Sequence, residues 1–403
     1  MISRQMQSLV TRLVKQFPAI LVTGARQVGK STLLQHIGQD YQYITFDDPM
    51  LLQQAKDESR LFFLNHQGKL ILDEVQYVPE IFSLLKLEID RKQKNGLFLL
   101  SASQAFELMQ NVSETLAGRI AILKLQGLSL REILGVSFNQ PFVPNNDYLF
   151  AREEELKSPE NVWQLIHKGD MPRLYAQETD WEIYYRSYVA TYIERDVRQL
   201  TNIASTTDFT RFMVSIASRS GELLNYSNIA QEVGVSNETI KRWVAILQTS
   251  GIIYLLQPYH NNYLKRAIKT PKVYFLDTGL MAYLTKWLTP ETISSGAKSG
   301  QFFETFVVSQ VIKSFNNQGI EPPLYFYRDT NQKEIDLIIE YNRTLYPVEI
   351  KVTASPNKKM AKSFDLLSPL SPEWTLGQGV IINQYPTKLY LSENLVALPL
   401  SYL

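Results

Sequence analysis

The sequence predicts an α/β protein: a parallel, helix-covered sheet first, then a helical stretch, then a second α/β module. Three observations lead there. Residues 18–135 alternate short apolar runs with helical patterns, as strands joined by crossover helices do. Residues 161–258 read as mostly helical, and strand-length apolar runs return beyond residue 296. A chain of 403 residues also exceeds one ordinary core. The expected units are 1–135, a connector over 136–200, 201–295 and 296–403.

Composition narrows the classes. Hydrophobic residues make up 45% and charged residues 20%, as in a soluble globular protein, and no run approaches the ~18 uncharged apolar residues of a membrane span. No membrane partner is expected. The absence of cysteine excludes disulfides and thiolate metal sites and suits a cytoplasmic location. A formal net charge of +1 argues against a bulk polyanion binder, so any DNA contact must come from a local patch.

Met1 to Phe17 is mildly amphipathic, with Arg4, Arg12 and Lys15. It reads as a structural helix and not a leader, because Ala19–Val22 follows at once as the first strand. Further strands are expected at Tyr43–Phe46, Leu70–Leu72, Leu97–Leu100 and Ile120–Leu125. Between the first strand and the next helix lies Gly24-Ala25-Arg26-Gln27-Val28-Gly29-Lys30-Ser31-Thr32, the pattern G-x4-G-K-[ST] of a phosphate-binding loop, or Walker A. Concentrated phosphate charge needs backbone N–H groups and a cation. The two glycines let the chain fold around the phosphates, and the helix behind points its positive end at them. Lys30 is expected to reach the β- and γ-phosphates of ATP, and the Ser31 hydroxyl to bind Mg²⁺. Leu70-Ile71-Leu72 ends in Asp73-Glu74, the form of a Walker B element. Asp73 would hold Mg²⁺ through its water shell, and Glu74 would polarise the attacking water.

Ser101-Ala102-Ser103-Gln104 follows the fourth strand, where a residue sensing the γ-phosphate is expected. Arg119 opens the fifth strand and has two readings, a charge sensor or arginine finger on one side and a structural ion pair on the other. Lys30, Glu74 and Arg119 are the candidate catalytic residues. Asp47-Asp48-Pro49 reads as a helix start, with Asp48 as N-cap and Pro49 at the first helical position, in preference to a metal pair. Pro141, Pro144, Asn145 and Asn146, followed by Arg152-Glu153-Glu154-Glu155, read as a surface connection or insertion.

These motifs, with Phe46-Asp47-Asp48-Pro49, Asp73-Glu74-Val75-Gln76 and Leu116-Ala117-Gly118-Arg119, resemble a prokaryotic family of AAA-type ATPases that carries a C-terminal domain of unknown function. Tyr192-Ile193-Glu194-Arg195-Asp196-Val197, Phe275-Leu276-Asp277-Thr278-Gly279-Leu280 and Phe303-Glu304 extend the resemblance over nearly the whole chain. Ser101-Ala102-Ser103 departs from the family's Thr-Gly-Ser, which leaves the sensor's identity open.

Residues 227–243 have a helix-turn-helix layout: Ser227 as first cap, Gly234 as turn residue, Ser236 as second cap. Ile240, Trp243, Val244 and Leu247 then share one buried face, and Asn237, Glu238, Lys241 and Arg242 face outward. Gly251-Ile252-Ile253-Tyr254-Leu255-Leu256 suits the wing strand of a winged helix. Lys265, Arg266, Lys269 and Lys272, beside Tyr259 and Tyr263, form a basic cluster that fits either a solvated surface or a DNA contact.

In the last module, strands are expected at Leu324–Tyr327, Ile335–Ile339, Leu345–Ile350 and Val380–Ile382. Asp336 followed by Glu349-Ile350-Lys351 resembles the D…E-x-K pattern of the restriction-endonuclease-like core. Side chains alternate along a strand, so Glu349 and Lys351 share a face. Asp336 on the neighbouring strand and Glu304 on a preceding helix complete a candidate pocket for a second divalent metal. Two functional readings follow. One is an ATPase whose nucleotide state controls a DNA-contacting, DNA-cutting C-terminal half; the other is an ATP-dependent switch, alone or as a homo-oligomer, whose last modules bind only protein partners.

Overall fold

The computed structural model describes residues 2–103, 115–192, 205–259, 270–329, 331–367 and 374–403. Five parallel strands form the N-terminal sheet: β1 (Ala19–Thr23), β2 (Gln42–Thr45), β3 (Leu70–Asp73), β4 (Phe98–Ala102) and β5 (Ile120–Lys124), in spatial order β2-β3-β4-β1-β5. β1, β3 and β4 are buried along their full length, as their continuous apolar runs require. Helices α1 (Met6–Leu13) and α2 (Lys30–Ile37) pack on one face, and α3 (Pro49–Asp57), α4 (Ser59–Asn65) and α5 (Ile81–Lys92) belong to the other. Asp48 caps α3 by accepting from the Met50 and Leu51 amides at 2.8 and 3.4 Å, with Pro49 next in line.

The segment expected as a surface connection over 136–160 is instead partly core. Phe142, Val143, Tyr148 and Leu149 are buried, and Asn145 caps a helix over Asn146–Glu153. The Tyr148 hydroxyl donates to the Tyr402 carbonyl at 2.6 Å, and Ser314 Oγ accepts from the Phe142 amide at 2.9 Å. The segment therefore ties the first sheet to the end of the chain.

Asn225, not Ser227, caps the first helix of the helix-turn-helix, Tyr226–Val233; Gly234 follows at φ 86°. Ser236 caps Asn237–Thr249, which buries Ile240, Trp243, Val244 and Leu247 and leaves Asn237, Glu238, Lys241 and Arg242 exposed. Strands β6 (Ile253–Pro258) and β7 (Lys272–Phe275) pair antiparallel behind it.

The hairpin is not confined to its own unit. β6 pairs in parallel with β8 (Leu324–Arg328) at Gln257 and Pro258, which joins it to β9 (Glu334–Tyr341), β10 (Thr344–Ile350), β11 (Thr375–Leu376), β12 (Gly379–Asn383), β13 (Leu389–Ser392) and β14 (Leu395–Pro399) in one mixed sheet. One apolar core runs from Met6 to Leu403, and the helix over Ser299–Asn316 is buried along most of its length within it. The architecture is α/β throughout, with sheet and core crossing the boundary expected at residues 295 and 296.

Candidate functional site

The phosphate loop leaves β1 at its C-terminal end and enters α2 through Gly29 at φ 93°. Gly24 has φ 139°, and a side chain there would put Cβ 1.9 Å from the Leu125 carbonyl oxygen. No other residue fits. From beneath, the buried Arg4 guanidinium donates to the carbonyls of Val28 and Gln126, both at 2.6 Å, and pairs with Glu132 at 3.0 Å. Glu132 itself belongs to the Ser129 capping box. Neither residue stood out as a site residue in the sequence, although the S-x-x-E spacing was visible.

The Lys30 ammonium lies across the loop, donating to the carbonyls of Gly24 and Ala25 at 3.1 and 2.9 Å. Ser31 Oγ donates to Asp73 Oδ1 at 2.9 Å, and the Tyr43 hydroxyl donates to Oδ2 at 2.6 Å. Ser101 Oγ also bonds to Asp73. Glu74 sits just beyond β3 with left-handed backbone, φ 58° and ψ 45°. Its Oε2 accepts from Ser103 Oγ at 2.9 Å and from the Gln76 amide. Burial alone would raise this carboxyl, but the Lys30 charge, the Gln76 and Ser103 donors and Arg26 hold it below the ordinary carboxylate range. Burial and the Asp73 contact push the Tyr43 phenol up, so it remains a donor.

Lys30, Ser31, Asp73 and Glu74 are thus brought together at the C-terminal ends of the sheet's strands. The expected sensor stretch is there too, but its two serines hold the carboxylates; Gln104 lies outside the described residues. The glycine cradle and the hydroxyl–carboxylate pair of Ser31 and Asp73 fit a nucleotide with Mg²⁺. Tyr43 and Gln76 complete the arrangement; Gln76 stands in the Asp73-Glu74-Val75-Gln76 motif, whereas Tyr43 carried no signal beyond its strand.

Arg119 is elsewhere. It precedes β5 at the opposite end of the sheet, where it makes a two-point ion pair with Asp90 at 2.7 and 3.2 Å. A charge sensor within the same chain is incompatible with that position. Across the loop mouth stands the turn at Gly251, φ 72°, where an added Cβ would lie 3.3 Å from the Ala25 nitrogen. The turn feeding β6 therefore rests on the phosphate loop.

A second polar cluster forms where β7, β9, β10 and the helix over Ser299–Asn316 meet. It contains all four predicted residues, Glu304, Asp336, Glu349 and Lys351. Lys351 pairs with Glu349 Oε1 at 2.5 Å and with Asp336 Oδ2 at 3.4 Å, and the Ile350 amide donates to Asp336 Oδ2 at 2.8 Å. Glu304 Oε1 accepts from the Tyr274 hydroxyl at 2.6 Å and pairs with Lys272 at 3.3 Å. Burial, then the Asp336 charge, pushes the Glu349 carboxyl up to about 8, and burial raises Glu304. Glu349 Oε2 is buried with no hydrogen-bond partner, which fits a cation at that oxygen. Among the described residues, however, no three acidic or histidine side chains are spaced to hold a metal together. The basic cluster expected nearby is divided: Lys272 is buried in this site, whereas Tyr263, Lys265, Arg266 and Lys269 lie outside the described residues, as do residues 193–197 of the Tyr192–Val197 motif.

Three family models match successive parts of the chain. Residues 16–134 match the family model described as "AAA domain", so the N-terminal unit is similar to the ATPase domains of that family. Residues 159–291 and 299–403 match two models, each described as a domain of unknown function (DUF8612 and DUF4143). The chain is similar to an uncharacterized protein of Mycobacterium tuberculosis, 26% identical over 398 residues, which covers 98% of this chain and 83% of the relative. An uncharacterized protein of Methanocaldococcus jannaschii is 21% identical over 365 residues, or 86% and 77% of the two chains. Among solved structures, the Walker-type ATPase of Pyrococcus abyssi is similar with a TM-score of 0.42 and 14% identity, over 70% of this chain and 96% of that one.

Proposed function

We propose that this protein hydrolyses ATP with Mg²⁺ at the Gly24–Thr32 loop and couples its nucleotide state to a C-terminal half that contacts DNA. The observation that carries the reading is the convergence of Lys30, Ser31, Asp73 and Glu74 at the C-terminal ends of a parallel sheet's strands. Lys30 exchanges its two carbonyl contacts for phosphate oxygens and offsets their charge. Ser31 and Asp73 hold Mg²⁺, which neutralises charge on the phosphate oxygens when bound. Glu74, ionised, orients the attacking water and accepts its proton. Arg119 is an ion-pair residue in this reading, and any finger comes from elsewhere. The Gly251 turn on Ala25 supports the coupling, because it is the direct contact between the loop and the strand that enters the second sheet. A cytoplasmic location belongs to the same reading; among the described residues no helix is long and apolar enough to cross a membrane.

A second activity is favoured by the orphaned Glu349 Oε2. Asp336 and Glu349 would hold a divalent ion and Lys351 would offset phosphate charge, the requirements of phosphodiester hydrolysis. The test is the ATPase rate with and without single-stranded, duplex and branched DNA at two salt concentrations. Stimulation that falls with salt supports DNA contact, since phosphate contacts release counterions. An unchanged rate with every DNA form, together with no salt-sensitive binding, leaves an ATP-dependent switch for protein partners.

A further inference from the structure

Arg4 stands ahead of the ATPase-like residues 16–134, yet its guanidinium lies beneath the phosphate loop. It is 6% exposed, and all three guanidinium nitrogens are engaged. Nε pairs with Glu132 Oε1 at 3.0 Å, and the two terminal nitrogens donate to the Val28 and Gln126 carbonyls, both at 2.6 Å. Glu132 is held in turn, because its two oxygens accept from the Gln5 and Ser129 amides at 2.7 and 2.8 Å. It also offsets the Arg4 charge, so attraction for an anion is not the main effect of this arginine. What the guanidinium contributes is direction. The Val28–Gly29 peptide is planar and trans, so its C=O and N–H point to opposite sides. Gly29, at φ 93°, has no Cβ to restrict its backbone, and the pinned carbonyl supplies the restriction instead. The Gly29 amide is thereby turned away from Arg4, and the bond to the carbonyl polarises it into a stronger donor.

We propose that Arg4 is a positioning residue of the nucleotide site: by fixing the Val28 carbonyl it aims the Gly29 amide at the phosphates. The proposal rests on nucleotide binding at the Gly24–Thr32 loop. Arg4 itself touches no phosphate, and the Glu74 carboxylate that orients water is held by other partners. An amide that meets the phosphates in ground and transition states alike contributes uniform binding. Its misplacement therefore raises KM and spares kcat.

ADP is titrated calorimetrically into the full chain and its variants, with circular dichroism as the check of folding, and ATP turnover supplies KM and kcat. Arg4→Lys keeps a charge beside Glu132 but loses the planar fork that spans two carbonyls. It should weaken ADP binding at least about tenfold, as loss of a hydrogen bond to a charged group does, and raise KM alike. Turnover at saturating ATP should fall by less than about threefold. The control is Arg131→Lys, a buried guanidinium that bonds to the Gln140 carbonyl and the Tyr148 hydroxyl, both at 2.6 Å. None of its hydrogen bonds involves the loop, so ADP affinity should change by less than about twofold. Equal losses in the two variants would make Arg4 a general stabiliser and overturn the proposal, as would a fall in kcat at unchanged KM. If Arg4→Lys does not fold, Arg4→Met combined with Glu132→Met decides, because a buried pair replaced as a unit by apolar side chains often leaves the fold intact. The same tenfold loss is expected there, and unchanged affinity or failure to fold overturns the proposal. The ATPase reading is judged separately. ADP binding that Lys30→Ala removes upholds that reading whatever Arg4→Lys does, and no ADP binding by the unmodified chain defeats both.

Discussion

The two polar sites of this molecule solve opposite electrostatic problems. At the phosphate loop, neutral donors hold the carboxylates: Ser31, Tyr43 and Ser101 for Asp73, Ser103 and Gln76 for Glu74. The Lys30 charge, helped by the Gln76 and Ser103 donors, keeps Glu74 ionised despite burial, and Lys30 also donates to the carbonyls of Gly24 and Ala25. In the C-terminal cluster the carboxylates face one another and two lysines, and burial pushes Glu349 up to about 8. The first site is arranged to receive an anion and the second to receive a cation or a proton.

The largest expected effect tests the first half of that contrast. Glu74→Gln should lower turnover by roughly 10² to 10⁴-fold while ATP still raises thermal stability. At 100-fold its dissociation constant the ligand adds about 2.7 kcal/mol, and Lys30→Ala should abolish most of this shift. Normal turnover in the Gln variant would break the assignment.

A third arrangement is the buried ion pair of Lys313 with Asp170. Here the Lys313 ammonium pairs with Asp170 and also donates to the Leu128 carbonyl at 3.3 Å. Lys313→Met should therefore cost about 3–5 kcal/mol in urea unfolding, far more than removing an exposed charge. A cost below about 1 kcal/mol, the exposed-pair range, would mean that the pair is solvated after all.

Asp277, which caps the helix over Thr278–Leu284 and accepts from the Tyr185 hydroxyl at 2.9 Å, sharpens the role of crowding. Burial and the Asp170 charge push its carboxyl up to about 7, from an ordinary 3.8. Between those values the folded chain keeps a proton that the unfolded chain has released, so stability falls as pH rises. The slope should approach about 1.4 kcal/mol per pH unit. Asp277→Asn retains the cap and should flatten the profile between pH 4 and 7. A profile identical to the parent's would remove Asp277 as its source.

The smallest effect is expected at Arg119. Its pair with Asp90 is exposed, at 36% and 45% for the two side chains, so Arg119→Ala should cost at most about 1 kcal/mol and leave turnover unchanged. A large kinetic loss, rescued by mixing with a Lys30→Ala protein, would restore the finger reading.

Much of this was legible in the sequence where the signal is local. Strand positions followed from short apolar runs, Asp48 and Ser236 announced their caps, and the order Asp336, Glu349, Lys351 placed three residues in one cluster. Apart from the helix cap at Asn225 in place of Ser227, the misses are long-range. Residues 141–155 look solvated from their prolines, asparagines and glutamates, but their apolar members meet Ser314 and Tyr402 across the fold. Arg4 becomes a support of the loop only when Val28 and Gln126 are folded over it. Lys272 read as one of several neighbouring basic residues, although its position at the head of the apolar run Val273-Tyr274-Phe275 was the available hint.

The junction of β6 with β8 bears on how such chains can be reshuffled by recombination. The matched regions end at residue 291 and resume at residue 299, which looks like a natural point of exchange. A crossover there would pair a foreign hairpin with Tyr325 and Phe326, and Tyr259, whose amide donates to Phe326 at 2.6 Å, would lose its place. It would also deprive Glu304 and Glu334 of Lys272, leaving Glu304 without its ion-pair partner and Glu334 with Arg328 alone. The two regions are thus bound to be inherited together: a chimera joined in that gap should fold only if the incoming hairpin brings a lysine at the head of its second strand.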